Sequence, residues 1–264
     1  MTRKQADLAA SVRTRLLRLS RERNEDFNRI LNRYAIERLL YRLSQSRYRD
    51  QFVLKGATLL LPLVGAVYRP TRDLDLLNLG SPDSDRVMRV FRELCELSVE
   101  PDGLSFDSDT IRLETIRENQ PYPNHRVKFE ASLAGAIIVV QVDVAFGDAI
   151  AAKLEKVVFP GLLDLPESEV LAYPKEAVIA EKLEAIVSLG VANSRMKDYY
   201  DLSIFSKTFE FDGTELTQAM RATFEKKTIL STFWSSLRAH RSIWRTPRQG
   251  RSMVGFSAAQ PTWN

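Results

Sequence analysis

FVLKGATLLLPLVGAVYRPTRDLDLLNL, residues 52–79, is the stretch around which the rest of the chain is organised. An apolar lead-in, Phe52-Val53-Leu54, reaches Lys55-Gly56-Ala57-Thr58. The apolar run Leu59 to Val64 follows, and Gly65 to Pro70 connect it to Thr71-Arg72-Asp73-Leu74-Asp75-Leu76-Leu77. That last piece alternates. Read as a strand, its side chains repeat every second residue, which puts Asp73 and Asp75 on one face. Two carboxylates so placed repel each other unless a cation sits between them, the chemistry of a Mg²⁺ site serving a nucleotide. The Gly56-Ala57-Thr58 turn would bring backbone N–H groups and a hydroxyl to a phosphate at a helix N-terminus. The competing, purely structural assignment for Asp73 is a salt bridge to Arg69 or Arg72.

Bulk properties bound the rest. The chain has 264 residues, 44% hydrophobic and 27% charged, the profile of an ordinary globular protein of one large or two modest domains. No apolar run approaches the roughly 20 residues of a membrane span, and the first residues, MTRKQADLAASVRTRLL, contain no apolar signal core. A cytoplasmic protein with no membrane partner is expected. A single cysteine, Cys95, excludes an internal disulfide and a thiolate metal cluster, and with only His125 and His240 any metal should be oxygen-ligated. The net charge of +4 leans mildly towards polyanionic partners. Residues 1–50 are rich in arginine, read here as solvated helix faces.

Working outward, residues 5–19 carry a helical repeat, and 25–46 give a stronger one, with Phe27, Ile30, Leu31, Tyr34, Ala35, Leu39 and Leu43 as one apolar stripe and arginines opposite. After Leu79, Ser81 as N-cap and Pro82 at the first position open a helix to about Leu97. Thr110–Ile116, Arg126–Leu133 and Ala136–Val144 read as strands. A loop with Pro160, Gly161 and Pro166 leads to helices at 175–189, stopped by Gly190, then at 195–206 behind a Ser194 cap, and at 214–227. The segment 228–264 loses periodicity and interleaves arginines with Trp234, Trp244 and Trp263. That is either a divergent tail or a nucleic-acid surface.

Two constellations can carry chemistry. Asp143 sits inside an apolar strand, where an unpartnered carboxylate is costly, so Asp73, Asp75 and Asp143 form a candidate oxygen-ligand set for one or two Mg²⁺ ions. Lys182 borders the apolar stripe of its helix and either snorkels to solvent or points at a phosphate. In Ser194-Arg195-Met196-Lys197-Asp198-Tyr199-Tyr200-Asp201-Leu202, Arg195 with Asp198 and Lys197 with Asp201 have the spacing of ordinary surface ion pairs.

FVLKGATLL, RPTRDLDLL, the strand Val140-Gln141-Val142-Asp143, AVIAEKLEAIV and SRMKDYYDL together resemble the ordered blocks of the AbiEii/AbiGii-type toxin family. These are nucleotidyltransferases with a DNA polymerase β-like core. The resemblance covers roughly Asp26 to Lys226. It implies an α+β fold: a polymerase β-like nucleotidyltransferase core, a mixed sheet flanked by helices, plus a C-terminal helical half. It implies NTP and Mg²⁺, an RNA 3′ end (tRNA) as acceptor, translation blocked in consequence, and a cognate antitoxin in a phage-defence or toxin–antitoxin pair. By position, Gly56 and Thr58 match the phosphate turn, Asp73 and Asp75 the metal pair, Lys182 the triphosphate lysine, and Asp198 the essential downstream acid. Arg69 and Thr71 match phosphate-contacting positions, and Asp143 the third acid.

The expected division is 1–50 helices packing on the core, 51–165 the nucleotidyltransferase sheet, 166–227 a helical domain closing the cleft, and 228–264 an irregular basic tail. A small-molecule nucleotidyltransferase and a kinase-like transfer to a protein hydroxyl use the same core and stay open.

Overall fold

The computed structural model describes residues 3–65, 71–116, 124–147, 153–190 and 194–226. The segment 228–264 therefore lies outside the described residues. Two helices come first, α1 (Arg3–Arg23) and α2 (Phe27–Gln45). Asp26 caps α2 by accepting the Arg29 N–H at 3.0 Å. The apolar stripe of α2 is present, but the helix is buried on nearly every side. Ile36, Leu40, Glu37, Arg38 and Arg42 join the stripe in the interior.

The expectation of solvated arginines fails at Arg38 and Arg42, which are 1% and 5% exposed. The reason is Asp102, sixty residues on and itself buried. Arg42 Nη1 donates to Asp102 Oδ2 at 2.7 Å, and Arg38 Nε donates to the same oxygen at 3.3 Å. Tyr34 donates its hydroxyl to the Asp102 carbonyl at 2.6 Å. Glu37 accepts the Leu162 N–H at 2.8 Å, and burial raises its pKa. Buried charges persist only when paired and hydrogen-bonded. Here the pairs fasten α2 to two distant loops.

Among the described residues seven strands form one mixed sheet: β1 (Phe52–Lys55), β2 (Asp73–Asn78), β3 (Ser105–Ile116), β4 (Asn124–Leu133), β5 (Ala136–Phe146), β6 (Glu155–Phe159) and β7 (Ser168–Ala172). Their order is β3-β4-β5-β2-β1-β7-β6. β2 is antiparallel to β1 and parallel to β5, and β1 is parallel to β7. β6 and β7 were not expected. They are short, and the Pro160–Pro166 loop between them masks a hairpin-like antiparallel pair. The apolar run after Thr58 is a short helix, α3 (Leu60–Val64), and α4 (Ser84–Glu96) starts later than expected, capped by Asp83 rather than Ser81.

Leu74, Leu76, Val142 and Val144 point into the core, with Phe52, Phe91, Phe129 and Phe106 stacked edge-on or tilted nearby. Alternation then puts Asp73, Asp75 and Asp143 on the opposite face. Three further helices follow the sheet: α5 (Lys175–Leu189), α6 (Met196–Thr208) and α7 (Gly213–Lys226). Gly190 caps α5 as expected. The cap of α6 is Arg195, without a side-chain bond, instead of Ser194. No helix among the described residues is long and apolar enough to cross a membrane.

Replacing Asp102 by Ala leaves Arg42 buried without a carboxylate and Arg38 with Glu37 alone. Urea unfolding should show a loss of about 3–5 kcal/mol, the range for breaking a buried charge pair from one side. Arg15→Ala, which breaks a surface pair with Asp164, should leave the midpoint unchanged.

Candidate active site

The topology places a row of charges across the sheet. Arg126 on β4 stands opposite Asp143 on β5, Asp143 opposite Asp75 on β2, and Asp75 opposite Lys55 on β1. Residues in register on neighbouring strands project from the same face, roughly 4.8 Å apart. The row therefore reads cation, acid, acid, cation, with Asp73 two residues along β2 on the same side. At one end Arg126 clasps Asp143 with both arms, Nε to Oδ1 at 2.8 Å and Nη2 to Oδ2 at 2.7 Å. At the other, Lys55 Nζ donates to Glu181 of α5 at 2.7 Å and lies 4.9 Å from the centre of the Tyr173 ring.

The acids disturb one another. Burial pushes Asp75 up to about 6, with Asp143, Asp73 and Glu181 adding repulsion against the pull of Lys55. Burial, then the charge of Asp143, raises Asp73, opposed by Arg126, Lys197 and Arg72. Lys197 belongs to α6, so the field of the helical half reaches the first acid of the strand.

The chain turns at Gly56 to make room for this row. Gly56 has φ +66°, and a Cβ there would lie 2.1 Å from Asp75 Oδ2 and 2.6 Å from its Cγ. Among described residues only Asn24 and Ala134 hold positive φ without being glycine, so Ala57 takes ordinary backbone angles. Thr58 donates its hydroxyl to the Asp73 carbonyl at 3.0 Å, and Thr71 donates to the same oxygen at 3.3 Å. Both threonines thus pin the start of β2. Arg69 lies outside the described residues.

Lys182 and Asp198 form a second cluster. Lys182 Nζ lies 3.3 Å from Asp198 Oδ1 and 2.5 Å from Asp201 Oδ2, and Arg195 Nε lies 2.9 Å from Asp198 Oδ2. Lys182, Asp198 and Asp201 are all buried. Arg195 pairs with Asp198 as its spacing suggests. Asp201 is different: it is fully buried on Lys182, not a surface partner of Lys197. The lysine therefore neither snorkels nor stands free; it bolts α5 to α6.

Sequence reasoning missed Lys55, Arg126 and Glu181, and it paired Lys197 with Asp201 where the structure sets Asp201 on Lys182 and the field of Lys197 on Asp73. Lys55 had a signal, being the residue before Gly56. Arg126 had one only through register with Asp143, which a linear pattern does not state. A hollow of about 430 Å³ beside Ser105, Asp107, Glu130 and Ile137 includes no member of the row.

The donor set around Asp73 and Asp75 is oxygen-only, which suits Mg²⁺. Among the described residues no three acidic, histidine or cysteine side chains converge on one point as they stand. Both oxygens of Asp143 are taken up by Arg126. Asp73 and Asp75 fit a divalent cation in another respect: burial first, then repulsion from neighbouring acids, raises both, and a bound cation would offset both causes.

Two outcomes follow. Gly56→Ala forces both a left-handed alanine and a clash with Asp75. It should lower stability by about 1–3 kcal/mol and cut activity on the order of a hundredfold, whereas Ala57→Gly should do neither; thermal unfolding and turnover report this. The raised Asp75 binds its proton more tightly folded than unfolded. In EDTA, the stability it contributes is complete below the ordinary carboxylate pKa of about 4 and is lost as pH rises through about 6. Asp75→Asn should flatten that decline in a pH series of unfolding midpoints.

Residues 38–252 match the family model described as nucleotidyl transferase AbiEii toxin, type IV toxin–antitoxin system. No curated protein sequence matches the chain. Among solved structures, the nucleotidyltransferase toxin MenT4 of Mycobacterium tuberculosis is similar at 23% identity and a TM-score of 0.53, over 79% of this chain and 68% of that one. That likeness is one of fold. A nucleotidyltransferase-like structure from Helicobacter pylori, titled putative, aligns at 16% identity over 77% of this chain and 80% of its own, with a TM-score of 0.42. The match over most of the length, on a fold shared with MenT4, makes this chain a nucleotidyltransferase and a member of the AbiEii family of type IV toxin–antitoxin toxins.

Proposed function

We propose that the protein transfers a nucleotide from NTP to the 3′ hydroxyl of an RNA, with tRNA as the acceptor, and so blocks translation in the cytoplasm. The observation that carries this reading is the acid row on adjoining strands, Asp75 beside Asp143 with Asp73 on the same face. The hydroxyl oxygen attacks the α-phosphorus, a new P–O bond forms, the bond to the β-phosphate bridge breaks, and pyrophosphate leaves.

Asp73 and Asp75 would hold Mg²⁺, which supplies charge neutralisation at the triphosphate and a lowered hydroxyl pKa. Asp143, one strand away, would take the hydroxyl proton or hold a second ion once Arg126 gives up its oxygens. The turn Gly56–Thr58, with Thr71 and Arg69, would border the phosphates. Lys182 would carry positive charge to the triphosphate, held in place by Asp198 and Asp201. The fields of Lys197 on Asp73 and of Glu181 on Asp75 support a site lying between the sheet and helices α5 and α6. The family implies a cognate antitoxin; direct binding of it to this chain belongs to the proposal.

The test offers total RNA, purified tRNA and a panel of aminoglycoside-type small molecules to the protein with NTP labelled at the α- or the γ-phosphate. The α label should appear on RNA, and Asp73→Ala should abolish it. Transfer of the γ label to protein, α label on a small molecule alone, or full activity of Asp73→Ala would overturn the reading.

A further inference from the structure

We infer that Arg126 is an internal counter-cation that competes with the divalent ion for Asp143 and gives it up by moving to Glu114. The inference rests on the metal reading of Asp73 and Asp75 given above.

Three observations carry it. First, the clasp is bidentate, with both guanidinium arms on both Asp143 oxygens at 2.8 and 2.7 Å. Such a fork is the strongest geometry an arginine offers a carboxylate, and it leaves Asp143 no oxygen facing an ion without a partner already on it. Second, the clasp is not sealed in. The side chains are 30% and 21% exposed, so the guanidinium can leave through solvent without crossing the core. Third, the charged row continues beyond Arg126. Glu114 on β3 lies directly across from it, on the side away from Asp143. Glu114 presently holds Lys128 at 3.1 and 3.2 Å, in a largely exposed pair that is weak enough to exchange.

Arg126 thus sits between two carboxylates. With no cation on the acid row, it neutralises the one that crowds Asp75 and Asp73. When a cation takes up Asp143, repulsion between the guanidinium and that ion favours the alternative partner one strand out. The acid row is then stable before nucleotide arrives, and the third acid is released only when the ion is present.

The test measures Mn²⁺ binding to the full chain by calorimetry and by loss of the free-ion paramagnetic resonance signal, without nucleotide. The proteins are wild type, Arg126→Met, Arg126→Lys, Glu114→Gln and Asp73→Asn. Arg126→Met should bind Mn²⁺ about tenfold tighter or more, the scale of one lost charge-assisted pair. It should also unfold at lower temperature in EDTA and recover with Mn²⁺. Arg126→Lys, which keeps the charge but not the fork, should fall between, and it carries the test if the methionine variant does not fold. Glu114→Gln should bind more weakly than wild type. Equal or weaker Mn²⁺ binding by the folded Arg126 variants overturns the inference, while loss of binding in Asp73→Asn still upholds the metal site. If Asp73→Asn binds Mn²⁺ as wild type does, the metal reading falls and the inference with it.

Discussion

Like charges held side by side are the constraint on which the structure turns. β2 lies between an antiparallel and a parallel neighbour, and that placement sets Asp75 next to Asp143 and next to Lys55. The opposite face of the same strands is the apolar core, with Leu74, Leu76, Val142 and Val144. A slip of one residue in either pairing would send the acids into the core and the leucines out. The hydrophobic face therefore fixes the register, and the register fixes the electrostatics. Cations at both ends of the row, Arg126 and Lys55, balance what the core imposes.

The rest of the chain supports that sheet with buried charge of a different kind. Arg38 and Arg42 on α2 meet Asp102, and Lys182 on α5 meets Asp198 and Asp201 on α6. In each case the partners come from separate elements, so the pair sets how those elements sit against each other. The acid row differs. Asp73 and Asp75 are raised because their surroundings oppose their charge, the signature of a functional site more than of a structural pair.

Much of this was legible in the sequence where the signal was local. The D-x-D alternation placed two acids on one face, the apolar run placed Asp143 in a strand, and Gly190 marked a helix end. The rest depended on contacts the linear chain does not display. Arg38 looked solvent-facing because its partner Asp102 lies far along the chain, beyond α4. Thr58 looked free for a phosphate because the Asp73 carbonyl that accepts its hydroxyl lies 15 residues further along the chain. β6 and β7 escaped because five-residue strands beside prolines carry little periodicity. Arg126 escaped because cross-strand register is a property of the folded sheet alone. Gly56 was singled out for phosphate approach; the structure gives it a different requirement, because the Asp75 carboxylate occupies the space where its Cβ would be.

The proposed chemistry requires that Asp73 and Asp75 hold the ion that binds the nucleotide. A crystal structure with Mn²⁺ and a non-hydrolysable NTP, phased to show anomalous scattering, tests it most directly. An anomalous peak bonded to oxygens of both aspartates and to the triphosphate is the predicted result. Nucleotide density elsewhere, or a peak touching neither aspartate, would contradict it.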